Sequence, residues 1–201
     1  MGNRTDDFNR ADSSSSLGTP SDGGTGYTIS SGTWGIASNQ GRCVSSTAQS
    51  IAYTEASAAN ADVQVTLTTI STDIGVVCRV VDSNNYILGT ATGGSGYRLY
   101  KRVAGSFTQL GSTSVNIPAN GEVLKLTLNG SSLTLYSNGV SRVAATDSAH
   151  STATKHGLRA NSDTSSRFDD FSVTDLSAGG AAVSLLHGLI RSNLTQGRLV
   201  A

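Results

Sequence analysis

The sequence is short of charge, of aromatic rings and of glutamate. Charged residues make up 14% of the 201-residue chain, and acids and bases balance to a formal net charge of zero. No basic excess exists to track a phosphate backbone, so no nucleic-acid partner is expected. Near-zero charge also does little for colloidal solubility, which suits a protein that ends in an assembly. The only cysteines are Cys43 and Cys78, both in apparent strands. A disulfide and a pair of buried free thiols are both open, the thiols being what a cytoplasmically made protein favours. No His/Cys cluster has zinc spacing. No apolar run approaches the length of a membrane span, so no membrane partner is expected. The opening "MGNRTDDFNR" has no apolar core of an export signal. Its Met-Gly start lacks the Ser or Thr that myristoylation wants at position six, where Asp6 stands. The expectation is synthesis in a cytoplasm without export.

What fills the chain instead is Ser, Thr, Gly, Ala and Asn, a composition poor in helix formers and suited to short strands joined by tight turns. From Tyr27 to Leu176, β-rich runs alternate with turn signals. Strands are predicted at Val63–Ile70, Ile74–Asp82, Asn85–Thr92, Gly96–Arg102, Phe107–Thr113, Val123–Leu128, Ser132–Ser137, Val140–Ala144, Gly157–Ala160 and Arg167–Thr174. Alternation is sharp: Val63, Val65 and Leu67 face one way, Gln64, Thr66 and Thr68 the other. Asn129-Gly130 and Asn138-Gly139 fall between alternating runs, the strongest short hairpin signal. Asp12–Gly26 and Ser148–Lys155 read as loops. No helical period is sustained before the last residues. Many short antiparallel strands imply a two-sheet sandwich or jelly roll. The predicted organisation is a sandwich over 1–176, a small-residue hinge over 177–182 and a C-terminal arm over 183–201.

Five stretches carry a resemblance: "DDFNRADSSSSLG", "YTISSGTWGIASNQ", "VVDSNNYILGT", "LKLTLNGSSLTLYSNG" and "FDDFSVTDL". In this order, from about Asp6 to Leu176, they resemble the concanavalin A-like, laminin-G-like jelly-roll domains of bacterial surface proteins and tailed-phage virion proteins. The resemblance implies an all-β, antiparallel two-sheet jelly roll whose first and last strands pair. The triplets Asp6-Asp7-Phe8 and Asp169-Asp170-Phe171 would then be neighbours, with Phe8, Trp34, Phe168 or Phe171 in the core. Relatives commonly carry a Trp after the first Gly-rich loop; here Tyr27 is its candidate replacement.

Such domains include glycoside hydrolases, which need two carboxylates at a set separation. The glucanases of this fold present a Glu-x-Asp-x-Glu strand, whereas this chain has only Glu55 and Glu122, both isolated. Asp169 and Asp170 are adjacent on a strand and are expected to point to opposite faces. There is no Gly-x-Ser-x-Gly elbow. His150 and His156 lie in a Ser/Thr-rich region and read as solvated. No enzyme is expected, and no catalytic or cofactor-binding residue. The resemblance also implies a structural calcium, for which Asp6, Asp7, Asp169 and Asp170 are candidates, with Asp82 and Asn84 as further oxygens. The plain alternatives are carboxylates capping edge strands and a tight Asp-Ser-Asn turn. Surface glycans are the usual ligands of the non-enzymatic relatives. With aromatics at 5% no sugar platform is marked. Trp34 reads as core, and Tyr53, Tyr86, Tyr97, Tyr100 and Tyr136 as rim or core.

The last residues differ from the rest. Leu185, Leu186, Leu189, Ile190, Leu194, Leu199 and Val200 form an apolar set, with Arg191 and Arg198 among them. Leu189, Leu194 and Leu199 recur every five residues, which suits neither helix nor strand. A fragment of pentapeptide repeat, chance within a Leu-rich arm and a short amphipathic helix from Val183 to Ile190 all remain open. Burying several leucines at about 1.5–3 kcal/mol each is enough to anchor an arm on a partner, and the arginines could pair with its carboxylates. The leading expectation is therefore a non-enzymatic virion protein of a tailed phage, a head decoration protein anchored or oligomerised through this arm. Its partners would be the major capsid protein, other virion proteins or further copies of itself. The alternative is a tail- or fibre-associated carbohydrate-binding module.

Overall fold

The computed structural model describes residues 2–177. Its strands are β1 (Arg4–Asp6), β2 (Thr28–Ser31), β3 (Thr33–Ala37), β4 (Gln40–Ser45), β5 (Ser50–Glu55), β6 (Ala61–Thr69), β7 (Asp73–Asp82) and β8 (Asn85–Thr92). They continue as β9 (Gly96–Val103), β10 (Ser106–Ser114), β11 (Glu122–Asn129), β12 (Ser132–Ser137), β13 (Val140–Thr146), β14 (Lys155–Asn161) and β15 (Arg167–Asp175). Every predicted strand is present. Of the two hairpin signals, the first turns one residue late, over Gly130 and Ser131 between the paired Asn129 and Ser132; the second acts where it stands: Asn138 and Gly139 both take positive φ, 47° and 76°, between the paired Ser137 and Val140. Those are the two left-handed positions of the turn that matches strand twist.

The strands form two antiparallel sheets. One has eight strands in the order β13-β12-β11-β6-β15-β4-β3, with β1 joined to β15; the other has seven, in the order β10-β9-β8-β7-β14-β5-β2. This is the expected jelly-roll sandwich. As the resemblance implied, the first and last strands pair, placing Asp6 opposite Phe171.

Period-two alternation builds the core. From the eight-stranded sheet come Val63, Val65 and Leu67 of β6 and Leu124, Leu126 and Leu128 of β11. From the other come Ile74, Val76 and Cys78 of β7, Ile87 and Ala91 of β8, and Tyr97 and Leu99 of β9. Gly89 is glycine because a Cβ there would stand 2.7 Å from Leu135 of the facing sheet. Phe8, Trp34, Phe168 and Phe171 are all buried, with Trp34 against Phe168 at 5.8 Å between ring centroids. Tyr27 stacks on Phe8 and also meets Phe171. Both cysteines are free thiols and buried, and burial pushes each thiol up.

Two expectations fail. His156 is fully buried on β14 rather than solvated: one ring nitrogen meets the Ala58 carbonyl at 2.7 Å and the other the Arg79 N–H at 3.4 Å. The Ser/Thr-rich composition of Ser148–Lys155 suggests a loop up to its edge, but β14 begins at Lys155. Asp169 and Asp170 do not point to opposite faces either. The register of β15 slips between Asp169 and Ser172, and Asp170 takes a φ of 47°. Two residues instead of one thus separate inward Phe168 from inward Phe171, and both carboxylates stay outside the core.

Candidate functional site

The same alternation decides what the seven-stranded sheet shows on its outward face. With Tyr97 and Leu99 turned in, β9 turns Arg98, Tyr100 and Arg102 out. By the same rule β8 presents Tyr86 and Leu88, β7 Asp73 and Val77, β14 Arg159 and Asn161, and β5 Ile51 and Tyr53. That face is not a polar skin. Ile51, Val77, Val80, Tyr86 and Leu88 form a second apolar cluster, buried, with Tyr53 and Tyr100 packed against it. The Phe107 ring, on β10, meets Tyr86 and Tyr100 edge-on at 6.1 and 6.0 Å. The Arg102 guanidinium lies over Phe107 and Tyr86, at 5.0 and 5.7 Å from the ring centroids.

A polar network borders this layer. Arg159, its side chain only 4% exposed, places Nη1 2.7 Å from an oxygen of Asp73. The contact is one of charge, since Nη1 makes no directed hydrogen bond. Its Nε donates to the Gln49 side-chain carbonyl at 3.2 Å, which also accepts from the Tyr86 hydroxyl at 3.4 Å. Asp73 accepts from Asn161 Nδ2 and from the Thr92 hydroxyl, each at 3.2 Å. Burial pushes the Tyr86 hydroxyl up, with Arg102 working against it. A cleft of about 230 Å³ opens here, lined by Gln49, Asp73, Leu88, Tyr100, Phe107 and Arg159. It combines two aromatic rings with a carboxylate, a guanidinium and an amide already held in place. That is the make-up of a small polar-ligand site: apolar surface for area, a few fixed polar groups for orientation.

The expected calcium ligands lie elsewhere, on the eight-stranded sheet. Asp6, Asp7 and Asp170 border one cleft of about 300 Å³ with Ser21 and Gln64. Asp6 is fully engaged by protein groups. One oxygen accepts from the Phe8 N–H at 3.0 Å and the Ser21 hydroxyl at 3.1 Å. The other accepts from Arg10 Nη2 at 2.5 Å and the Tyr27 hydroxyl at 2.9 Å. Burial and the Asp6 carboxylate hold the Tyr27 hydroxyl well above its ordinary range. The Ser21 hydroxyl also donates to Asp7 and, with the Asn9 N–H, lowers that carboxyl. Asp169 is pushed up by burial and, among charges, by Asp170, Asp7 and Asp6. The cation that Asp6 holds is Arg10. Among the described residues, no group of three or more His, Cys, Asp or Glu side chains is placed to hold a metal ion. Asp82 closes a turn, accepting from the Asn84 N–H at 2.7 Å and from Asn85 Nδ2.

The two glutamates stay apart from the outward cleft. Glu122 accepts from the hydroxyls of Tyr97 and Ser137, and burial with the Glu122 bond pushes Tyr97 up to about 12. Glu55 accepts from the Ser57 N–H at 2.7 Å. The candidate partner-binding residues Leu185, Leu186, Leu189, Ile190, Arg191, Leu194, Arg198, Leu199 and Val200 lie outside the described residues, as do most of the expected hinge and the whole arm. Of the tyrosines, Tyr97 is core, Tyr86 is buried in the outer layer, and Tyr53 and Tyr100 are rim. Sequence reading missed Gln49, Asp73, Phe107 and Arg159 altogether. The signal was there in "IGVVCRVV" and "NYILGTAT", which are apolar at outward as well as inward positions. Continuous apolar strands have both faces covered.

No protein-family model matches the chain, and no curated protein matches it either. Solved structures do. The carbohydrate-binding module CBM66 from Bacillus subtilis is similar at a TM-score of 0.59 and 18% identity, over 75% of this chain and 96% of that one. Domain 4 of an extracellular GH43 arabinanase from Geobacillus stearothermophilus, solved with arabinotriose, reaches 0.49 at 16% identity, over 78% and 86%. A galectin from Caenorhabditis elegans reaches 0.48 at 10% identity, over 60% and 86%. At these identities the first likeness fixes the jelly-roll fold.

Proposed function

We propose that this chain is a non-catalytic carbohydrate-binding module whose ligand lies in the cleft on the outward face of the seven-stranded sheet. The observation that carries the reading is the pairing of Tyr100 and Phe107 with the Arg159–Asp73–Gln49 network in one cleft. A sugar ring has an apolar face of C–H bonds and an equatorial fringe of hydroxyls. The aromatic rings suit the first, and Asp73, Gln49 and Arg159 can accept from and donate to the second. The fold likeness to a carbohydrate-binding module agrees with this reading but does not identify a sugar. The head-decoration expectation concerned residues 183–201, which are outside the described fold, and the similar structures lend it no support.

The test is affinity electrophoresis and titration calorimetry of the whole chain against a panel of soluble polysaccharides. Phe107 is 40% exposed, so its removal leaves the core intact. Tyr100→Ala and Phe107→Ala are each expected to weaken binding about tenfold, the scale of one lost aromatic contact. If no polysaccharide binds, or if both variants bind as the parent does, the reading is wrong.

A further inference from the structure

The charges around the cleft are uneven. Of the four cations on this face, Arg159 alone has a carboxylate at ion-pair distance among the described residues, Asp73 at 2.7 Å, while Lys155 lies over the Tyr53 ring and stands opposite Glu55 in the β14–β5 register. Arg98 and Arg102 have no carboxylate at ion-pair distance among the described residues. They are two residues to either side of Tyr100 on one strand, so all three share a face, with roughly 7 Å between successive side chains. The stripe thus runs cation, ring, cation.

Arg102 is pinned before any ligand arrives. Its Nε donates to the Gly105 carbonyl at 3.1 Å, and its Nη1 to the Ser83 carbonyl at 2.8 Å and the Tyr86 hydroxyl at 3.3 Å. Its Nη2 makes no hydrogen bond within the described protein and keeps two N–H donors on one nitrogen. Arg98 makes a single 3.4 Å contact, from Nη1 to the Thr92 hydroxyl. Arg98 keeps its Nε–Nη2 edge as a planar fork that matches a carboxylate or a sulfate ester, while pinned Arg102 offers the N–H groups of Nη2 singly and loses little rotamer freedom on binding.

We propose that the ligand of this cleft is an acidic carbohydrate, with Tyr100 stacking a sugar ring and Arg98 and Arg102 taking the anionic groups on either side. The proposal rests on the carbohydrate-binding reading above and adds the charge of the ligand. A saccharide with one acid group per ring would present anions on both sides of a stacked residue, as the stripe requires.

The experiment compares whole-chain binding to polygalacturonate, to neutral galactan and to dextran sulfate at about 0.15 M salt, where exposed charges are partly screened. Polygalacturonate or dextran sulfate is expected to bind at least about tenfold more tightly than galactan, as charge-assisted hydrogen bonds would give. The stronger of the two identifies the anion as carboxylate or sulfate. Arg98→Gln and Arg102→Gln should each remove most of that preference, while Lys125→Gln on the other sheet leaves it. Arg98 has little structural duty, so its variant decides the matter even if Arg102→Gln unfolds. Galactan binding at equal strength with an unaffected Arg98→Gln variant overturns the acidic ligand and leaves the carbohydrate reading standing. Anion binding that is indifferent to Tyr100→Ala is ion exchange and overturns the proposal. Absence of binding to all three overturns the acidic ligand, and with it the broader reading if the wider panel is also blank.

Discussion

Outward from the eight-stranded sheet, β6 and β11 present Gln64, Thr66, Lys125 and Thr127, half-buried and polar. Outward from the seven-stranded sheet, β5, β7 and β8 present Ile51, Val77 and Leu88, all buried. Both pairs of strands alternate toward the core over these residues, so the difference is confined to the second face. A one-layer sheet needs its outer face only to be soluble. The seven-stranded sheet instead carries a roof of aromatic rings and arginines, and that roof has an opening. Apolar surface held under a partial roof is what a ligand can complete.

The contrast is broken most directly at Leu88. Leu88→Ala should cost about 2–5 kcal/mol in urea unfolding, as a core truncation does. Thr66→Ala on the other outward face should stay within about 0.5 kcal/mol. A Leu88 variant as mild as the Thr66 one would show that the outer layer is not a second core.

Acid sharpens the same contrast, because β14 is covered on both sides, by His156 within and Arg159 without. Burial pushes His156 down to about 4 from an ordinary 6.5. With Nε2–H donating to Ala58, Nδ1 is left to accept from Arg79, so the neutral ring is satisfied. Between pH 6.5 and 4 the unfolded chain binds a proton that the folded chain refuses, so stability falls as pH drops through that window and this contribution levels off below 4. The loss is at most about 3 kcal/mol. His156→Gln should flatten that stretch of the stability–pH curve. An unchanged slope would place the acid sensitivity elsewhere.

The smallest effect is expected on the plain face. Lys125 pairs with Asp62 at 3.1 Å and lies over Tyr136, both partly exposed. Lys125→Ala should change stability by less than about 1 kcal/mol and leave polysaccharide binding untouched. Loss of binding there would put the ligand on the wrong sheet.

The architecture was legible because its signals are local. Val63, Val65 and Leu67 declare their own face, and Asn138-Gly139 declares its own turn. The first strands were harder, since β1 is three residues long and exists only by pairing with β15. The cleft was illegible for a different reason. Gln49, Asp73 and Arg159 come from three separate stretches and meet only because β14 lies between β5 and β7. The acidic triplets show the reverse case. Asp6, Asp7, Asp169 and Asp170 do come together as the resemblance implied, but a register slip in β15 and the side chain of Arg10 decide what they do there.

The pairing of β1 with β15 has one more consequence. Arg4 lies opposite Val173, and the Asp175 N–H donates to the Asn3 side chain at 2.9 Å. The described fold therefore begins and finishes at one doorway, and that doorway belongs to the sheet opposite the Tyr100–Phe107 cleft.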